Sequence, residues 1–494
     1  MANNDLEARH LETLDRDLRR FSRLEVATAQ VGRPFVGSGI AFVFIVIAGI
    51  TAALLFGQAS NTMIVVIAAM FGAYMALNIG ANDVANNMAP AVGANTLTMG
   101  GAIAIAAIFE SAGALIAGGD VVSTIAKGII NTESMGTATV FIWAMMAALL
   151  SAALWINLAT WVGAPVSTTH SVVGGVMGAG IAAAGFGAVS WVKMSQIAAS
   201  WVISPLLGGI IAAGFLWFIK ARIIYQDDKI AAARKWVPVL VGIMAGAFAS
   251  YLALKGLKHL FKINLQTALV IGLVSGVLIW MVTIPVIRRQ AEGLENRNKS
   301  LKILFGIPLI ISAALLSFAH GANDVANAVG PLAAIVQASA VGDFTHAVSI
   351  PPWVMIIGAF GISFGLFLFG PKLIRVVGSQ ITKLNPMRAY CVALSAAITV
   401  IVASWLGLPV SSTHIAVGAV FGVGFFREWD AERRLIKARG AVPERPVLAP
   451  EERRRRKLVR RSHFLTIIAA WVITVPAAAL LSGLLFLGIQ AIAG

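Results

Sequence analysis

The heptapeptide Gly-Ala-Asn-Asp-Val-Ala-Asn occurs twice in this chain, at Gly80 to Asn86 and at Gly321 to Asn327. Each copy places a carboxylate, Asp83 or Asp324, beside a long apolar stretch. An acid near the bilayer centre costs about 2.5–3.5 kcal/mol even on lenient insertion scales, so a repeated Asp with flanking amides reads as an ion or substrate site. Carboxylate and amide oxygens suit Na⁺, and an Asp can instead take up a proton. Asp83 and Asp324 are therefore the candidate coupling-ion residues, and the Na⁺ ligands if sodium is the ion. Asn82, Asn86, Asn323 and Asn327 carry both acceptors and donors and can serve cation or anion. The small residues of the motif are expected to let the helix unwind, freeing carbonyl oxygens, or to bring its backbone close to a neighbour.

A second motif is also doubled: Pro165-Val166-Ser167-Thr168-Thr169-His170 returns as Pro409-Val410-Ser411-Ser412-Thr413-His414. It reads as a helix start with Pro in the first turn, where a missing N–H is no loss. Helix N-termini attract anions. Two of them, lined by Ser167, Thr168, Thr169, Ser411, Ser412 and Thr413, can surround a tetrahedral oxyanion with donors; the plain alternative is that these hydroxyls only cap helices. His170 and His414 are expected to orient the turns through a hydrogen bond or cap, with a proton relay as the sharper reading. Glu110 lies inside the third apolar stretch, and Gly361 falls at its approximate counterpart in the second copy. Facing lipid is untenable for it, so it binds a further coupling cation or pairs across a helix interface.

No Lys or Arg falls in the middle of an apolar stretch. An anion there meets dipoles and hydroxyls but no fixed positive side chain. Like charges about 4 Å apart repel by about 4 kcal/mol at an effective dielectric of about 20, so an anion beside Asp83 and Asp324 requires intervening cations. Co-binding of Na⁺ or H⁺ supplies symport coupling, and no other cofactor is implied. An ion channel could also line a pore with Asn, Asp and Thr, but it would conduct without coupling. An intramembrane hydrolase using Ser167 or Ser411 with His170 or His414 fits poorly, because the motif is duplicated and no oxyanion-hole loop is recognisable, so the chain is not read as an enzyme. Between tetrahedral anions, phosphate carries protons near pH 7 and can donate to the many acceptors; sulfate, the alternative, cannot.

The elements that hold these residues are membrane helices. Of the 494 residues, 58% are hydrophobic and only 12% charged, against about 25% charged in soluble domains. Mean hydropathy is +0.85. The expected fold is all-α and polytopic, with candidate crossings at 36–58, 61–79, 98–118, 137–159, 165–185, 197–219, 236–254, 266–287, 303–319, 352–370, 388–406, 410–426 and 464–493. A re-entrant hairpin taken for two spans would change this count but not its parity. With the N-terminus cytoplasmic, the inward segments 1–35, 220–235, 288–302, 371–388 and 427–463 hold all of the 38 Lys and Arg except Lys127, Lys193, Lys255, Lys258 and Lys262. That asymmetry sets orientation in a plasma (inner) membrane. It also explains the net charge of +16 without any nucleic-acid partner. A single cysteine, Cys391, excludes an intramolecular disulfide framework.

The two motifs are separated by 85 positions in the first copy and 88 in the second, which makes the chain two copies of one unit. The expected organisation is a cytoplasmic tail (1–35) with an amphipathic helix over Leu11 to Val26, a first half with additional spans (36–287), a linker (288–302), and a second half (303–494) carrying a basic insertion (427–463). Seven crossings separate equivalent motifs. An odd number turns the halves opposite ways, the inverted-repeat architecture of many secondary transporters, with interrupted helices at the binding site.

At these residues the chain resembles the PiT-type inorganic phosphate transporters, sodium- or proton-coupled symporters with sulfate permeases as a minority branch. The likeness covers both copies of each motif and, in spacing and hydropathy, the chain from about residue 60 onward. It implies phosphate as substrate, about twelve helices including interrupted or re-entrant ones, homodimers, and a substrate and ion site formed by the Asn and Asp residues with the Ser and Thr of the second motif. Asn87 departs from the repeat, standing where the second copy has Ala328. The N-terminal span and the insertion 427–463 are not obviously part of the repeat.

Overall fold

Long apolar runs opened by a capping side chain dictate most of the architecture. Thr98, Thr137, Asn264 and Asn385 each accept a backbone N–H three residues ahead, at 2.8–3.3 Å, and start helices that follow immediately. The computed structural model describes residues 36–57, 61–164, 166–256, 263–342, 350–380, 384–441 and 461–493. The expected tail 1–35 with its amphipathic helix, Pro165, Lys258, Lys262 and residues 442–460 of the basic insertion lie outside them.

The first half contains α1 (Val36–Phe56), α2 (Thr62–Gly93), α3 (Met99–Ala117), the short α4 (Gly119–Ser123), α5 (Ala138–Val162) and α6 (Thr168–Ala184). Then come α7 (Trp191–Ile219), α8 (Lys229–Lys255), α9 (Leu265–Gln290) and the short α10 (Asn298–Leu304). The second half continues with α11 (Gly306–Val341), α12 (Pro352–Gln380), α13 (Pro386–Trp405), α14 (Ser412–Ala441) and α15 (Arg461–Ala493). Among the described residues there is no β-sheet, only one antiparallel bridge between Ile130 and Val189.

Among the described residues, eleven helical segments are long and apolar enough to cross a membrane, against thirteen candidate crossings. The difference lies at α6 and α14. Helix α6 has only 17 residues, and the Ile130–Val189 bridge ties the stretch before α5 to the stretch after α6. The α5–α6 pair therefore enters and leaves on one side, and the residues that follow its turn, Val166 to His170, are buried. Arg388 at the start of α13 lies within electrostatic reach of Arg427 on α14, so α13–α14 forms a corresponding hairpin. Its turn is tied to neighbouring helices: Thr124 donates to the Gly407 carbonyl at 2.8 Å and Trp201 to that of Pro409 at 3.2 Å.

Several helix pairs drawn from different halves make very close backbone contacts. A Cβ added at Gly80 of α2 would lie 1.9 Å from the Ile362 carbonyl oxygen of α12, and one at Gly321 of α11 would lie 2.1 Å from the Glu110 carbonyl oxygen of α3. Such small-residue contacts replace the hydrophobic drive that lipid cannot provide. Of the two alternatives at the first motif, the close approach is present and the unwinding is not. Helices α2 and α11 run unbroken through Gly80–Asn86 and Gly321–Asn327. Ala-rich sequence sustains the helix, and packing uses the glycines to admit a neighbour's backbone.

Where α7 ends, Lys220 reaches Asp430 of α14 at 2.6 Å, and the Tyr225 hydroxyl donates to the same carboxylate. Burial and the adjacent Asp430 push the Tyr225 phenol up to about 12. Burial alone would raise the Asp430 carboxyl, but the hydrogen bonds from Lys220 and Tyr225 hold it below the ordinary carboxylate range.

Candidate functional site

The turns of the two hairpins meet α2 and α11 at the centre of the molecule. Helices α6 and α14 begin at Thr168 and Ser412, three residues after the motif proline, so Pro409 precedes the cap instead of occupying the first turn as expected. Ser167 and Ser411 are the caps. Their hydroxyls accept the backbone N–H of His170 at 3.2 Å and of His414 at 3.3 Å.

The next residues face the acids. Thr168 donates to Asp83 Oδ2 at 2.8 Å, and Ser412 donates to Asp324 Oδ2 at 3.0 Å. The same pairing appears once in each half. Contacts between halves follow a matching rule: Asn86 donates to Thr413 Oγ1 at 2.8 Å, and Asn327 to Thr169 Oγ1 at 3.2 Å. Thr413 also donates to Asp83 Oδ1 at 3.0 Å, whereas Thr169 turns to the Val410 carbonyl at 2.9 Å. The amides at 82 and 323 sit on the flanks. With its carbonyl turned to Thr160 at 3.0 Å, the Asn82 amide donates to the Val166 carbonyl at 3.2 Å and to Asp83 Oδ1 at 3.3 Å. Asn323 correspondingly donates to Ser404 at 3.0 Å and to the Leu408 carbonyl at 3.3 Å.

The structure thus brings Asp83, Asn86, Thr168, Thr169, Asp324, Asn327, Ser412 and Thr413 into one buried cluster. The hydroxyls of Ser167 and Ser411 are occupied as caps. His170 and His414 do not orient the turns through a side-chain cap; it is their backbone N–H groups that the serines cap. Their rings meet each other edge to face with centroids 4.3 Å apart, and His170 also packs on Trp201. Aromatic contact explains their place better than capping.

His320, a residue the sequence motifs did not single out, lies at the middle of the acids. Its Nε2 is 2.9 Å from Asp324 Oδ2 and 3.8 Å from Asp83 Oδ2, and its Nδ1 is 3.2 Å from Glu110 Oε1. Glu110 in turn accepts from Asn87 Nδ2 at 2.7 Å, so it pairs across a helix interface. The sequence signal was present: His320 immediately precedes the second heptapeptide, where the first is preceded by Ile79, and it stands one helical turn before Asp324. Positions where the halves differ (Asn87, Glu110 and His320) join in one chain ending at Asp324. That chain breaks the symmetry of an otherwise matched site.

The electrostatics follow from this geometry. Asp83, His320 and Asp324 offer ligand atoms within 4.8 Å of one another. Two carboxylates at that distance repel by roughly 3 to 4 kcal/mol at an effective dielectric of about 20, a cost that a cation or proton between them removes. Every fully buried polar residue described is Asn, Asp, Glu, Ser, Thr or His, and none is Lys or Arg. Among the described residues no hydrogen-bond donor reaches the buried oxygens Asn323 Oδ1, Asp324 Oδ1 and Asn327 Oδ1. Buried acceptors left without donors are what a hard cation completes.

A family profile described as the phosphate transporter family matches residues 79–482. The chain belongs to the phosphate transporter family. It is a multi-pass, all-helical membrane protein, and its relatives are transporters, not enzymes. A protein of Helicobacter pylori named as a phosphate permease is 46% identical over 96% of this chain and 98% of its own length. The chloroplastic inorganic phosphate transporter 2-1 of Arabidopsis thaliana is 36% identical, covering 84% of this chain and 70% of the relative. A solved structure titled the sodium-dependent phosphate transporter superposes with a TM-score of 0.77 at 34% identity, covering 87% of this chain and 99% of that one. Both heptapeptides and both Pro-Val-Ser motifs fall inside the matched range of this transporter.

Proposed function

We propose that this family member carries inorganic phosphate across the membrane in symport with Na⁺ or H⁺. One observation carries the coupling: Asp83 and Asp324 are buried beside two helix N-termini with no Lys or Arg in the cluster. The N-termini, Thr168, Thr169, Ser412 and Thr413 favour an oxyanion, while the carboxylates and bare oxygens of Asn323, Asp324 and Asn327 favour a cation. Neither is stable there alone. Bound together, each neutralises the other, so the loaded and the empty transporter are the states that can rearrange. Sodium is the first choice of ion, because the solved relative is titled sodium-dependent and because the ligand set is rich in hard oxygens.

The matched hydrogen bonds of the two halves support an inverted repeat with its site at the seam. The proposed organisation keeps halves at 36–287 and 303–494 around a linker at 288–302, in a homodimer in the plasma membrane with a cytoplasmic N-terminus. The basic loops support that orientation.

The test is uptake of labelled phosphate into proteoliposomes under imposed Na⁺ or pH gradients, with sulfate as competitor. Expected is accumulation that collapses with the Na⁺ gradient and resists excess sulfate. Uptake that ignores both gradients would indicate a channel, and displacement of phosphate by equimolar sulfate would indicate a sulfate permease.

A further inference from the structure

We propose that the groove between α1, α2, α5 and α12 is an anion antechamber, the compartment through which phosphate passes between one face of the protein and the central cluster. The inference rests on the reading of the chain as a phosphate transporter. The groove has a volume of about 950 Å³, and most of its wall is apolar; its polar part includes Lys372 and Arg375 of α12, Asn78 of α2, Asn157 and Thr160 of α5, and Ser38 of α1, with no Asp or Glu among the described residues that line it. Lys372 and Arg375 are three apart on a helix, so their side chains share one face. A concave site of one charge sign raises the local concentration of an opposite ion by about 10–10³-fold.

The wall of the groove leads to the acids. Asn157 donates to Asn78 Oδ1 at 3.2 Å. One turn further along both helices, Thr160 meets Asn82 at 3.0 Å, and Asn82 donates to Asp83. This polar track has no counterpart in the second half. Ser404 on Asn323 corresponds to Thr160 on Asn82, which makes Ala319 and Ile401 the equivalents of Asn78 and Asn157. There the approach is filled by Ala117, Tyr251, Phe318 and Ala322, with Ile401 packed against them. The cluster therefore adjoins an open groove carrying two cationic side chains at the face where α12 ends, and packed side chains on the other approach. An anion separating from its companion cations would find Lys372 and Arg375 in their place. Helix α1, which supplies one wall, lies outside the range that the family profile matches.

Cysteine accessibility tests this on the full chain in proteoliposomes. The one native cysteine, Cys391, is buried, so Ser38→Cys presents a single reactive thiol inside the groove. A sulfonate-bearing methanethiosulfonate should modify it roughly tenfold faster than a trimethylammonium-bearing one. Millimolar phosphate should slow the reaction, and adding Lys372→Gln with Arg375→Gln should equalise the two reagents. Equal rates in the Ser38→Cys protein, or protection that follows the phosphatidylglycerol content of the vesicles and not phosphate, would overturn the antechamber, the latter result making the groove a lipid site. Phosphate uptake by the unsubstituted protein in matched vesicles separates the failures. Uptake without protection rejects the antechamber alone, and absence of uptake rejects the transport reading as well.

Discussion

Thr413 on α14 donates to Asp83 on α2 at 3.0 Å, a contact between residues 330 positions apart that closes the seam of the molecule. A hydrogen bond to a buried carboxylate contributes about 1.5–3 kcal/mol. Thr413→Val should therefore weaken uptake roughly tenfold or more, Thr413→Ser should retain most of it, and Asp83→Asn or Asp324→Asn should abolish cation-dependent uptake while the protein still inserts. Initial uptake rates at fixed Na⁺, normalised to the inserted protein, decide. Normal coupled rates in both Asn variants would remove the carboxylates from the mechanism.

His320 touches Glu110 on one side and Asp324 on the other. Removing one partner of a buried polar pair costs about 1–3 kcal/mol, because the other is left unsatisfied. His320→Gln should lower thermal stability sharply, and Glu110→Gln in that background should restore part of the loss. A double-mutant cycle on melting of the solubilised protein reads this directly. Strict additivity of the two substitutions would show that the imidazole and carboxyl act independently.

Gly80 and Gly321 admit the backbones of α12 and α3. Substitution by Ala places a methyl group within 2.1 Å of a carbonyl oxygen. Helices must then separate, at a cost of about 1–3 kcal/mol or more. Both variants should express at reduced levels with a lowered melting temperature, whereas Gly100→Ala, where an added Cβ meets nothing, should not. Unchanged melting of Gly80→Ala would mean that α2 and α12 are looser than described.

Asp430 holds its carboxyl below the ordinary range through Lys220 and Tyr225. A depressed folded-state value means that the stabilisation is present above the unfolded carboxylate value, near 3.9, and is lost as the pH falls through the folded value. The melting difference between the native protein and Asp430→Asn should be constant near neutrality and shrink under acid below about pH 4. A gap that widens on acidification would reverse the assigned sign.

How far the sequence could be read varies with the kind of signal. The two doubled motifs identified nearly every member of the central cluster, because polar side chains inside apolar runs have few tolerable explanations. Apolar runs placed the starts of α5 and α13 within two residues of where the helices begin. The thirteen candidate crossings exceed the eleven apolar helices among the described residues at α6 and α14, since hydropathy does not distinguish the limb of a re-entrant hairpin from a span. The small residues around Asn82 and Asp83 left open whether the helix unwinds or admits a neighbour; the choice depends on α12 lying against Gly80, a long-range contact invisible to local propensity. His320 escaped notice because it lies one position outside the repeat, and only its distances to Glu110 and Asp324 reveal it. Glu110 itself was recognised, but which partner it takes could not be read from spacing.

The interleaving of α2 with α12 and of α3 with α11 has a consequence for how the protein is made. While the ribosome is still translating, α2 and α3 enter the bilayer carrying Asp83 and Glu110, and His320, Thr413 and the backbone around Ile362 do not yet exist. Biogenesis therefore has a waiting period in which Asp83 lacks the Thr413 hydroxyl and Glu110 has Asn87 but not His320, and a chain released before α14 would be a natural target for membrane quality control.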